Sequence, residues 1–596
     1  MSVRLLQRDG STAALVPLRA EGNGYFSAKV AEASAGMLYR FVLPTGEFPD
    51  PASRFQPDGP HGPSQIVDPR AFVWDDNEWA GVPREGQIIY EMHIGTFTRE
   101  GTWAAATREL DALADLGITL LEVMPVADFA GKYGWGYDGV NLFAPTRLYG
   151  SPDDFRRFIS RAHRLGLGVL LDVVYNHLGP DGNYLKEFSP HYFSNKYLNE
   201  WGEALNFDDE NSAPVRELFL ANAGYWISEF HLDGLRLDAT QQIFDSSPVH
   251  LLTEIGRRVR EEGAGRGTYL VSENEPQCAQ LVRPEECGGH GLDSLWNDDF
   301  HHCAIVALTG KNEAYYTDYR GTPQEFISCA KRGFLFQGQR YQWQKKRRGT
   351  PALDLHPSQF VTFIQNHDQI ANSLWGRRIH MVTSDAKARA ITALLLLGPN
   401  TPMLFQGQEF ASSKPFLYFA DHNPELAAQV ARGRAEFLGQ FPSIASSPDI
   451  AALIPNPELL ETFTTCKLDH SERTENEPLL ALHRDLIALR KRTRHITHTV
   501  PGSLDGAVLG PHAFLLRYFG LHGDDRLLIV NLGPALRLDP APEPLLAPVN
   551  GQPWELVWSS EDPRYNGGGT PAVETDEGWN LPAEATVFLT PSLSNP

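Results

Sequence analysis

Between Ile88 and about residue 494, short apolar segments alternate with amphipathic segments, and this alternation constrains the fold more than any other feature of the chain. Strands that alternate with helices predict βα units around a parallel sheet. The candidate strands are IIYEMHIG, TLLEVMPV, GVLLDVVYNH, GLRLDAT, YLVSENE, LDSLWNDDF, FVTFIQNHD and TPMLFQGQE. Eight strands with intervening helices fit a (β/α)8 barrel better than an open sheet.

The helical segments carry start and stop signals. In SPDDFRRFISRAHRLG, Ser151 is a predicted N-cap, Pro152 occupies the first turn, and Asp154 follows three residues after the cap. Gly166 is the predicted stop. The last helix of the series is predicted in LLALHRDLIALRKRTR, residues 479–494.

Both ends of the chain have the short alternating strands and Pro- or Gly-rich turns of β-domains. The predicted fold class is therefore multidomain α/β: a (β/α)8 TIM barrel flanked by an N-terminal β-sandwich of immunoglobulin-like type and a C-terminal β-domain. The predicted boundaries are 1–84 for the N-terminal domain, 85–498 for the catalytic barrel and 499–596 for the C-terminal domain.

Composition excludes several classes of function. A net charge of −22 argues against nucleic acid as a partner and suits anionic membranes poorly. The five cysteines show no CxxC or Cys/His ligand spacing, so neither a disulfide framework nor a zinc site is predicted. No signal peptide and no apolar run of about 18 residues is found. We expect a soluble cytoplasmic protein that needs no cofactor.

The carboxyl ends of the predicted strands are unusually polar. Polar side chains occur at residues 172–177, at Arg236 and Asp238, at Glu273, and at the pair 367–368. A single carboxylate at a strand end often caps the following helix. Three acids that end three strands of one barrel should instead converge on one mouth, where active sites of such barrels lie.

A converging group of acids is suited to glycosidic bond cleavage, in which one carboxylate attacks the anomeric carbon and another protonates the leaving oxygen. Asp238 is the better candidate for the nucleophile, because Arg236 shares its face of the strand and favours the ionised carboxylate. Glu273 is then the candidate acid, and Asp368 the group that stabilises the charged transition state.

These segments resemble the four ordered signature regions of the α-amylase superfamily: DVVYNH (172–177), GLRLDAT (234–240), the Glu of LVSENE, and FIQNHD (363–368). The resemblance implies that Asp238 is the nucleophile, Glu273 the proton donor and Asp368 the transition-state stabiliser. It also implies four contacts to the sugar in the −1 subsite, with an aromatic platform in GWGYDGV: Tyr137, His177, Arg236 and His367. The acid departs from the usual Ala-Glu pattern, since Ser272 precedes it, and Glu275 is expected to be structural.

Within the superfamily, several stretches are most similar to the maltooligosyltrehalose trehalohydrolases: PDPASRFQPDGPHGPSQ, WNDDFHHCAIVALTGKNEAYY, QNHDQIAN, LFQGQEF and FADHNPELAAQVARGRAEF. This resemblance implies further substrate contacts at Asp298, Asp299, His301, Gln369 and Asn372. For Asp421 and His422, contacts to the far subsites and positions in a surface loop are equally favoured interpretations. Family members usually carry a longer N-terminal β-domain, so the domain here is either trimmed or its start was placed late.

The implied reaction is retaining hydrolysis of the α-1,4 bond next to the terminal trehalose of maltooligosyltrehalose. The substrate's pathway partner would be maltooligosyltrehalose synthase. The alternatives are an α-1,4-glucan branching enzyme or an α-amylase with the same mechanism and, remotely, a non-catalytic glucan-binding relative. Some superfamily members bind calcium through the Asn that matches Asn176, but the carboxylates of a calcium cage are not evident, and no metal is expected.

Overall fold

The computed structural model describes residues 1–446 and 454–592. At its centre, eight parallel strands form a closed barrel in which each strand pairs with the one before and the one after it. The eighth strand closes onto the first, with Met403 opposite Ile89. In chain order the strands are Ile89–Met92, Leu120–Val123, Gly168–Val173, Gly234–Leu237, Tyr269–Ser272, Ser294–Trp296, Phe360–Phe363 and Thr401–Phe405. The predicted barrel is confirmed.

Helices surround the barrel. The longer ones are Trp103–Leu116, Pro152–Arg164, Ser212–Glu229, Leu251–Glu262, Asp298–Thr309, Pro323–Arg332, Asp385–Leu397, Pro424–Leu438 and Glu477–Arg492. Short helices occupy Ile94–Phe97, Leu185–Phe188, His367–Ala371, Pro442–Ala445, Leu460–Thr465, Glu472–Glu475 and Arg494–Thr497. The link from the fifth to the sixth strand, which is described throughout, departs from the predicted alternation. It holds only the 3-10 turns Ala279–Val282 and Glu285–Cys287, because prolines and paired glycines interrupt it.

The helix Pro152–Arg164 has the predicted start. The Ser151 hydroxyl accepts from the backbone N–H of Asp154, and the Asp154 carboxylate accepts from the N–H of Ser151 at 2.8 Å. This reciprocal pair satisfies two N–H groups that a helix start otherwise leaves without partners. The helix ends at Arg164, and Gly166 follows with φ 77°, a conformation that favours glycine.

Both flanking regions are built from β-sheets. The N-terminal sheet has the order Thr12–Pro17, Ser2–Leu6, Leu38–Leu43, Gly46–Phe48, with Ser64–Gln65 also paired to Leu38–Leu43 and a separate hairpin of Arg19–Gly22 and Tyr25–Ser27. The C-terminal region packs the sheet Leu504–Gly510, Ala513–Tyr518, Arg526–Asn531, Ala585–Pro591, Trp554–Ser559 against Leu536–Leu538, Gly578–Leu581 and Glu574–Thr575. The predicted β-regions are therefore present, whereas the immunoglobulin-like type and the domain boundaries stay predictions.

Two excursions follow the carboxyl ends of barrel strands. The second strand leads to the pair Ala127–Asp128 and Asn141–Pro145, and the third leads to the hairpin Phe193–Asn199 and Gly202–Leu205. A further short pair is Arg340–Tyr341 with Lys346–Arg347. Among the helices of the described residues, none is both long and apolar enough to cross a membrane.

Candidate active site

Strand register brings the sequence-predicted polar residues together at the carboxyl end of the barrel. Asp172 on the third strand lies opposite Arg236 on the fourth. Arg236 lies opposite Val271 on the fifth strand, so Asp238 and Glu273 continue the same register just beyond the strand ends. Neighbouring strands lie about 5 Å apart, which places the backbones of the two acids side by side at the rim.

Arg236 is the centre of this group. The guanidinium is fully buried and donates to three carboxylates: Nη1 to Asp172 at 2.6 Å and to Asp238 at 2.8 Å, and Nη2 to Glu273 at 2.7 Å. Its planar face lies 4.2 Å from the centre of the Trp296 ring. Because the terminal nitrogens of one guanidinium hold Asp238 and Glu273, both carboxyl groups are within reach of a single sugar ring.

Asp238 is aimed from two sides. Its Oδ1 accepts from Arg236 and its Oδ2 accepts from the amide of Asn176 at 2.7 Å, while the same amide also donates to the Asp238 carbonyl at 2.9 Å. The next residue, Ala239, has φ 38°, an uncommon conformation for a residue with a side chain. Burial raises the pKa of Asp238 and Arg236 opposes that rise.

Glu273 has an environment that favours its protonated form. Its Oε2 accepts from Arg236 and from the backbone N–H of Ala239 at 3.0 Å, and about 22% of the side chain is exposed. Burial, reinforced by the charges of Asp238 and Asp368, raises the pKa of Glu273 to about 7 against the pull of Arg236. The pair therefore offers one carboxylate that is aimed and one carboxyl group that carries a proton near neutral pH.

His367 and Asp368 follow the seventh strand at the start of the helix His367–Ala371. The imidazole is buried, and its Nε2 lies 2.9 Å from the Tyr137 hydroxyl and 3.4 Å from Asp368 Oδ2. Tyr137 stacks on this ring at 5.3 Å, and its hydroxyl donates to Asp172 at 2.6 Å. Asp368 has a side chain that is 39% exposed, so it faces the opening of the site.

His177 lies on the side of the mouth that the third strand provides. Its Nε2 donates to the carbonyl of Tyr137 at 3.1 Å, its Nδ1 contacts the side-chain oxygen of Asn176, and burial lowers its pKa. The half-exposed indole of Trp201 lies over it at 5.4 Å. The amide of Asn199 anchors this hairpin by donating to the carbonyl of Asn176 at 2.7 Å.

The contacts that the narrower resemblance implied divide into two groups. Asp298, Gln369 and Asn372 are half-buried near the acids. Gln369 accepts from Tyr315 at 3.1 Å and lies 3.5 Å from Asp298, and Asn372 accepts from Arg434 at 3.2 Å. Burial raises the pKa of Asp298 to about 7.

Asp299 and His301 are both buried and bonded to protein groups. Asp299 is fully buried and accepts from the Tyr319 hydroxyl at 2.6 Å and from the backbone N–H of Leu335 at 2.6 Å. His301 is also buried, and its Nδ1 donates to the carbonyl of Ile364 at 2.7 Å. This placement favours a packing role over the predicted substrate contact for both residues.

Three other residues are occupied by protein partners. Asp421 accepts from the N–H of Lys132 at 2.8 Å, and His422 contacts Asp138 at 2.9 Å. Glu275 accepts from Gln344 at 2.9 Å and from Arg348 at 3.2 Å, as expected for a structural carboxylate. Within residues 1–446 and 454–592, no cluster of three His, Cys, Asp or Glu side chains has the geometry of a metal site.

The sequence reasoning missed two acids inside the barrel, Glu91 and Glu122, which are each 1% exposed and lie opposite one another on the first two strands. Glu91 Oε2 accepts from the backbone N–H of His367 at 3.1 Å, and its Oε1 contacts Nδ1 of the same residue. Glutamates within the apolar runs IIYEMHIG and TLLEVMPV were the available signal, because carboxylates are almost never fully buried without a reason.

Comparison with known proteins identifies the family of the chain. The family model described as the α-amylase catalytic domain matches residues 66–202, and a domain of unknown function, DUF3459, matches residues 501–588. The chain is 40% identical to a malto-oligosyltrehalose trehalohydrolase of Saccharolobus solfataricus, over 79% of this chain and 80% of that protein. It is 42% identical to one of Deinococcus radiodurans, over 76% of this chain and 74% of that protein.

A solved structure titled as a putative α-amylase from Salmonella typhimurium superposes with a TM-score of 0.86 at 34% identity, covering 99% of this chain and 96% of that one. A 1,4-α-glucan branching enzyme of Corynebacterium jeikeium is more distant, with 27% identity over 67% of this chain and 57% of that protein. The chain is 40% and 42% identical to the two trehalohydrolases over most of its length. It therefore belongs to the malto-oligosyltrehalose trehalohydrolase family of α-amylase-type glycoside hydrolases.

Proposed function

We propose that the protein hydrolyses the α-1,4 bond between a maltooligosaccharide and its terminal trehalose unit, with retention of configuration. The observation that carries this proposal is the single buried guanidinium of Arg236, which holds the carboxyl groups of Asp238 and Glu273 on adjacent strands. Two carboxyl groups at a separation of about 5 Å are suited to a covalent glycosyl intermediate, whereas inverting enzymes leave room for a water between them.

In the first step, Asp238 attacks the anomeric carbon of the glucosyl unit at −1 while Glu273 gives its proton to the oxygen that leaves with trehalose. The double hold on Asp238 by Arg236 and Asn176 directs its carboxylate and limits its freedom to turn away. The raised pKa of Glu273, about 7, keeps a proton on the acid at the pH where the nucleophile is ionised.

Asp368 stabilises the positive charge that develops on the sugar ring in the transition state, since its carboxylate is partly exposed and its charge acts on both Asp238 and Glu273. Tyr137, stacked on His367, offers an aromatic surface to the sugar ring. In the second step, Glu273 in its ionised form takes a proton from water, which frees the maltooligosaccharide from Asp238.

The choice of substrate within the superfamily follows the relatives. The proteins named malto-oligosyltrehalose trehalohydrolase align with most of this chain, while the branching enzyme is matched at lower identity and over a smaller share of its own length. We infer that the plus subsites accept trehalose, whose α,α-1,1 linkage bends the chain. The substrate would come from an enzyme that converts the reducing end of a maltooligosaccharide into a trehalose unit, a maltooligosyltrehalose synthase.

The test is product analysis on maltotetraosyltrehalose. We expect release of trehalose and maltotetraose by the unaltered protein. We expect a loss of at least about 1,000-fold in Asp238→Ala, which lacks the nucleophile. Asp111→Ala, which removes a carboxylate paired with Arg161 on the outside of the barrel, is the control and should keep full activity.

Three outcomes would contradict the proposal. Hydrolysis retained in Asp238→Ala would overturn the nucleophile assignment. Branching activity on amylose, followed by the change in iodine staining, without trehalose release from maltotetraosyltrehalose would instead identify a branching enzyme, and cleavage of linear maltooligosaccharides alone would identify an α-amylase.

A further inference from the structure

Glu91 is a carboxylate in the barrel interior that the reaction above does not use. It lies on the first strand between the buried residues Tyr90 and Met92 and is itself 1% exposed. One of its oxygens accepts from the backbone N–H of His367 at 3.1 Å, and the other contacts Nδ1 of the same residue. A single side chain therefore fixes both the first turn of the helix His367–Ala371 and the orientation of the imidazole.

The hydrogen bonds around His367 determine where its protons lie. The Tyr137 hydroxyl donates to Asp172 Oδ2 at 2.6 Å, and the same oxygen accepts from Arg236 at 2.6 Å, so it acts as an acceptor in both bonds. The proton of Tyr137 is thus committed to Asp172. Nε2 of His367, 2.9 Å from the Tyr137 oxygen, must then donate to it. Nδ1 faces the Glu91 carboxylate and must donate as well, so both ring nitrogens carry hydrogen.

We propose that Glu91 is a positioning residue that holds His367 as an imidazolium and directs its Nε2–H into the −1 subsite, between Tyr137 and Asp368. The inference rests on the proposed function, since it assigns a role within that site. A fixed positive ring whose Nε2 lies 3.4 Å from Asp368 Oδ2 attracts that carboxylate and holds it oriented towards the sugar. Glu91 acts only through His367 and does not itself reach the mouth.

The surroundings of the ring support the charge. Burial opposes it, but the carboxylates of Asp368 and Glu91 outweigh burial and raise the pKa of His367 to about 9. Besides these two, the titratable groups that face the ring from the other elements are Glu122, Asp172, Arg236, Tyr137 and His93. Arg236 and His93 oppose the charge, and Asp172 favours it.

The barrel provides a matched control in Glu122. It lies opposite Glu91 in the strand register and is buried to the same extent. Its Oε2 has no hydrogen-bond partner among the described residues, and burial, reinforced by Glu91, raises its pKa well above the ordinary value. Burial thus favours the protonated form of Glu122, which has no hydrogen bond to His367. Glu122→Gln therefore alters the barrel interior without removing a partner of the ring, whereas Glu91→Gln removes the carboxylate that faces His367.

The direct test is NMR of the histidine ring nitrogens in ¹⁵N-histidine-labelled protein, with the signals of residue 367 identified by their loss in His367→Gln. We expect a doubly protonated ring at pH 8 in the unaltered protein and in Glu122→Gln. In Glu91→Gln we expect the pKa of the ring to fall below about 7, since burial is then opposed by Asp368 alone among its close partners. A neutral ring in the unaltered protein at pH 8, or an unchanged titration in Glu91→Gln, would overturn the proposal.

Activity gives the second measurement. We expect kcat of Glu91→Gln to fall by about 10- to 100-fold, with its alkaline limb moved to lower pH, and Glu122→Gln to follow the unaltered protein. If the unaltered protein releases no trehalose, the proposed function fails while the ring titration still decides the role of Glu91. If Glu91→Gln does not fold, the ring of the unaltered protein at pH 8 decides, together with Glu91→Asp, whose shorter carboxylate should lower the pKa less.

Discussion

The two ends of the barrel both bury charged side chains, but they balance those charges in opposite ways. At the amino end of the strands, His163 lies between the carboxylates of Asp76, at 2.8 Å, and Asp233, at 3.0 Å. The indole of Trp79 stacks on this imidazole at 4.7 Å and donates to Asp233 at 2.7 Å. At the carboxyl end, by contrast, the one guanidinium of Arg236 serves three carboxylates.

The pKa values follow this difference. Burial raises the pKa of Asp76, yet hydrogen bonds from His163 and His231 outweigh it and bring that pKa well below the ordinary value. Burial likewise opposes the charge on His163, but the bonds to Asp233 and Asp76 outweigh it and raise the pKa. At the mouth, burial dominates and raises the pKa of Asp238 and Glu273.

The amino end of the barrel stabilises the fold, whereas the carboxyl end costs stability. Shifts that favour the charged form in the folded state contribute to the free energy of unfolding, whereas shifts that disfavour it reduce that free energy. The amino end ties residues 75–79, which precede the first strand, to the underside of the barrel. At the carboxyl end, three acids share one guanidinium, an arrangement that costs stability and is typical of a catalytic site.

Replacing Arg236 should produce the largest losses of activity and stability. In Arg236→Met, three carboxylates lose their shared cation, so we expect trehalose release to fall by about 1,000-fold or more, since electrostatic alignment of both acids is lost. We also expect unfolding to become easier by about 3 kcal/mol at pH 8 and by less at pH 5, where the acids can protonate. Activity assays and thermal unfolding at both pH values measure this.

Arg156→Met is the control for that variant. Arg156 is equally buried and pairs with Asp153 and Glu229, outside the mouth. We expect it to lose stability while keeping its activity per folded molecule. Equal destabilisation of Arg236→Met at pH 5 and pH 8 would argue that the acids at the mouth are not held ionised by Arg236.

Replacing His163, at the amino end of the barrel, should cause a smaller loss, and of stability alone. His163→Gln removes the cation that two buried carboxylates share and leaves Asp76 with His231, at 3.0 Å, and Asp233 with Arg266, at 3.9 Å. We expect a loss of about 2 to 3 kcal/mol at pH 6 with activity per folded molecule unchanged. Because the folded-state pKa of His163 is raised, its contribution is fully present below the unfolded pKa of about 6.5 and is lost as the pH rises through the folded value. The difference from the unaltered protein should therefore shrink towards alkaline pH.

Thermal unfolding between pH 6 and pH 9 measures this difference. His483→Gln is the matched control, since His483 is also buried but, among the residues that the structure describes, bonds the carbonyl of Leu479 alone. Its burial lowers its pKa to about 4, so it is neutral throughout this range and its replacement should give a difference that does not depend on pH. A pH-independent loss in His163→Gln would show that His163 acts by packing and not by charge.

Much of the fold was predictable because its signals are local. The change from β-type alternation to βα units marks the barrel, and Ser151 with Asp154 forms the expected capping box. The link between the fifth and sixth strands lacks the expected helix, although Pro276, Pro284 and the neighbouring glycines were visible in the sequence as helix breakers.

The site was predictable only where its residues share a strand or end one. Arg236 and Asp238 are two residues apart on one face, so their contact follows from strand geometry. Glu91 contacts His367 across 276 positions of sequence, and nothing local in IIYEMHIG identifies that partner. Asp299 and His301 lie in the first turn of a helix, where the sequence does not tell which residues face the mouth and which face the protein interior.

Replacing Glu273 should increase the stability of the fold, in contrast to the losses expected for Arg236→Met and His163→Gln. Its folded-state pKa of about 7 exceeds the ordinary value of 4.5, so the folded protein retains a proton that the unfolded chain releases. The carboxyl group costs nothing below pH 4.5, and its cost grows through this window and is complete above pH 7. We therefore expect Glu273→Gln to lose activity and to gain about 2 kcal/mol of stability at pH 8, with no gain below pH 4.5.

Glu275→Gln is the control for this gain. Glu275 lies two residues after Glu273 and is bonded to Arg348 and Gln344, so its replacement should give no increase in stability. Thermal unfolding of both variants at pH 4 and pH 8 separates the possibilities. A gain of the same size at both pH values would mean that glutamine merely packs better. A gain confined to pH 8 would mean that the ionised carboxyl group of Glu273 destabilises the fold, unlike the paired charges at the amino end of the barrel.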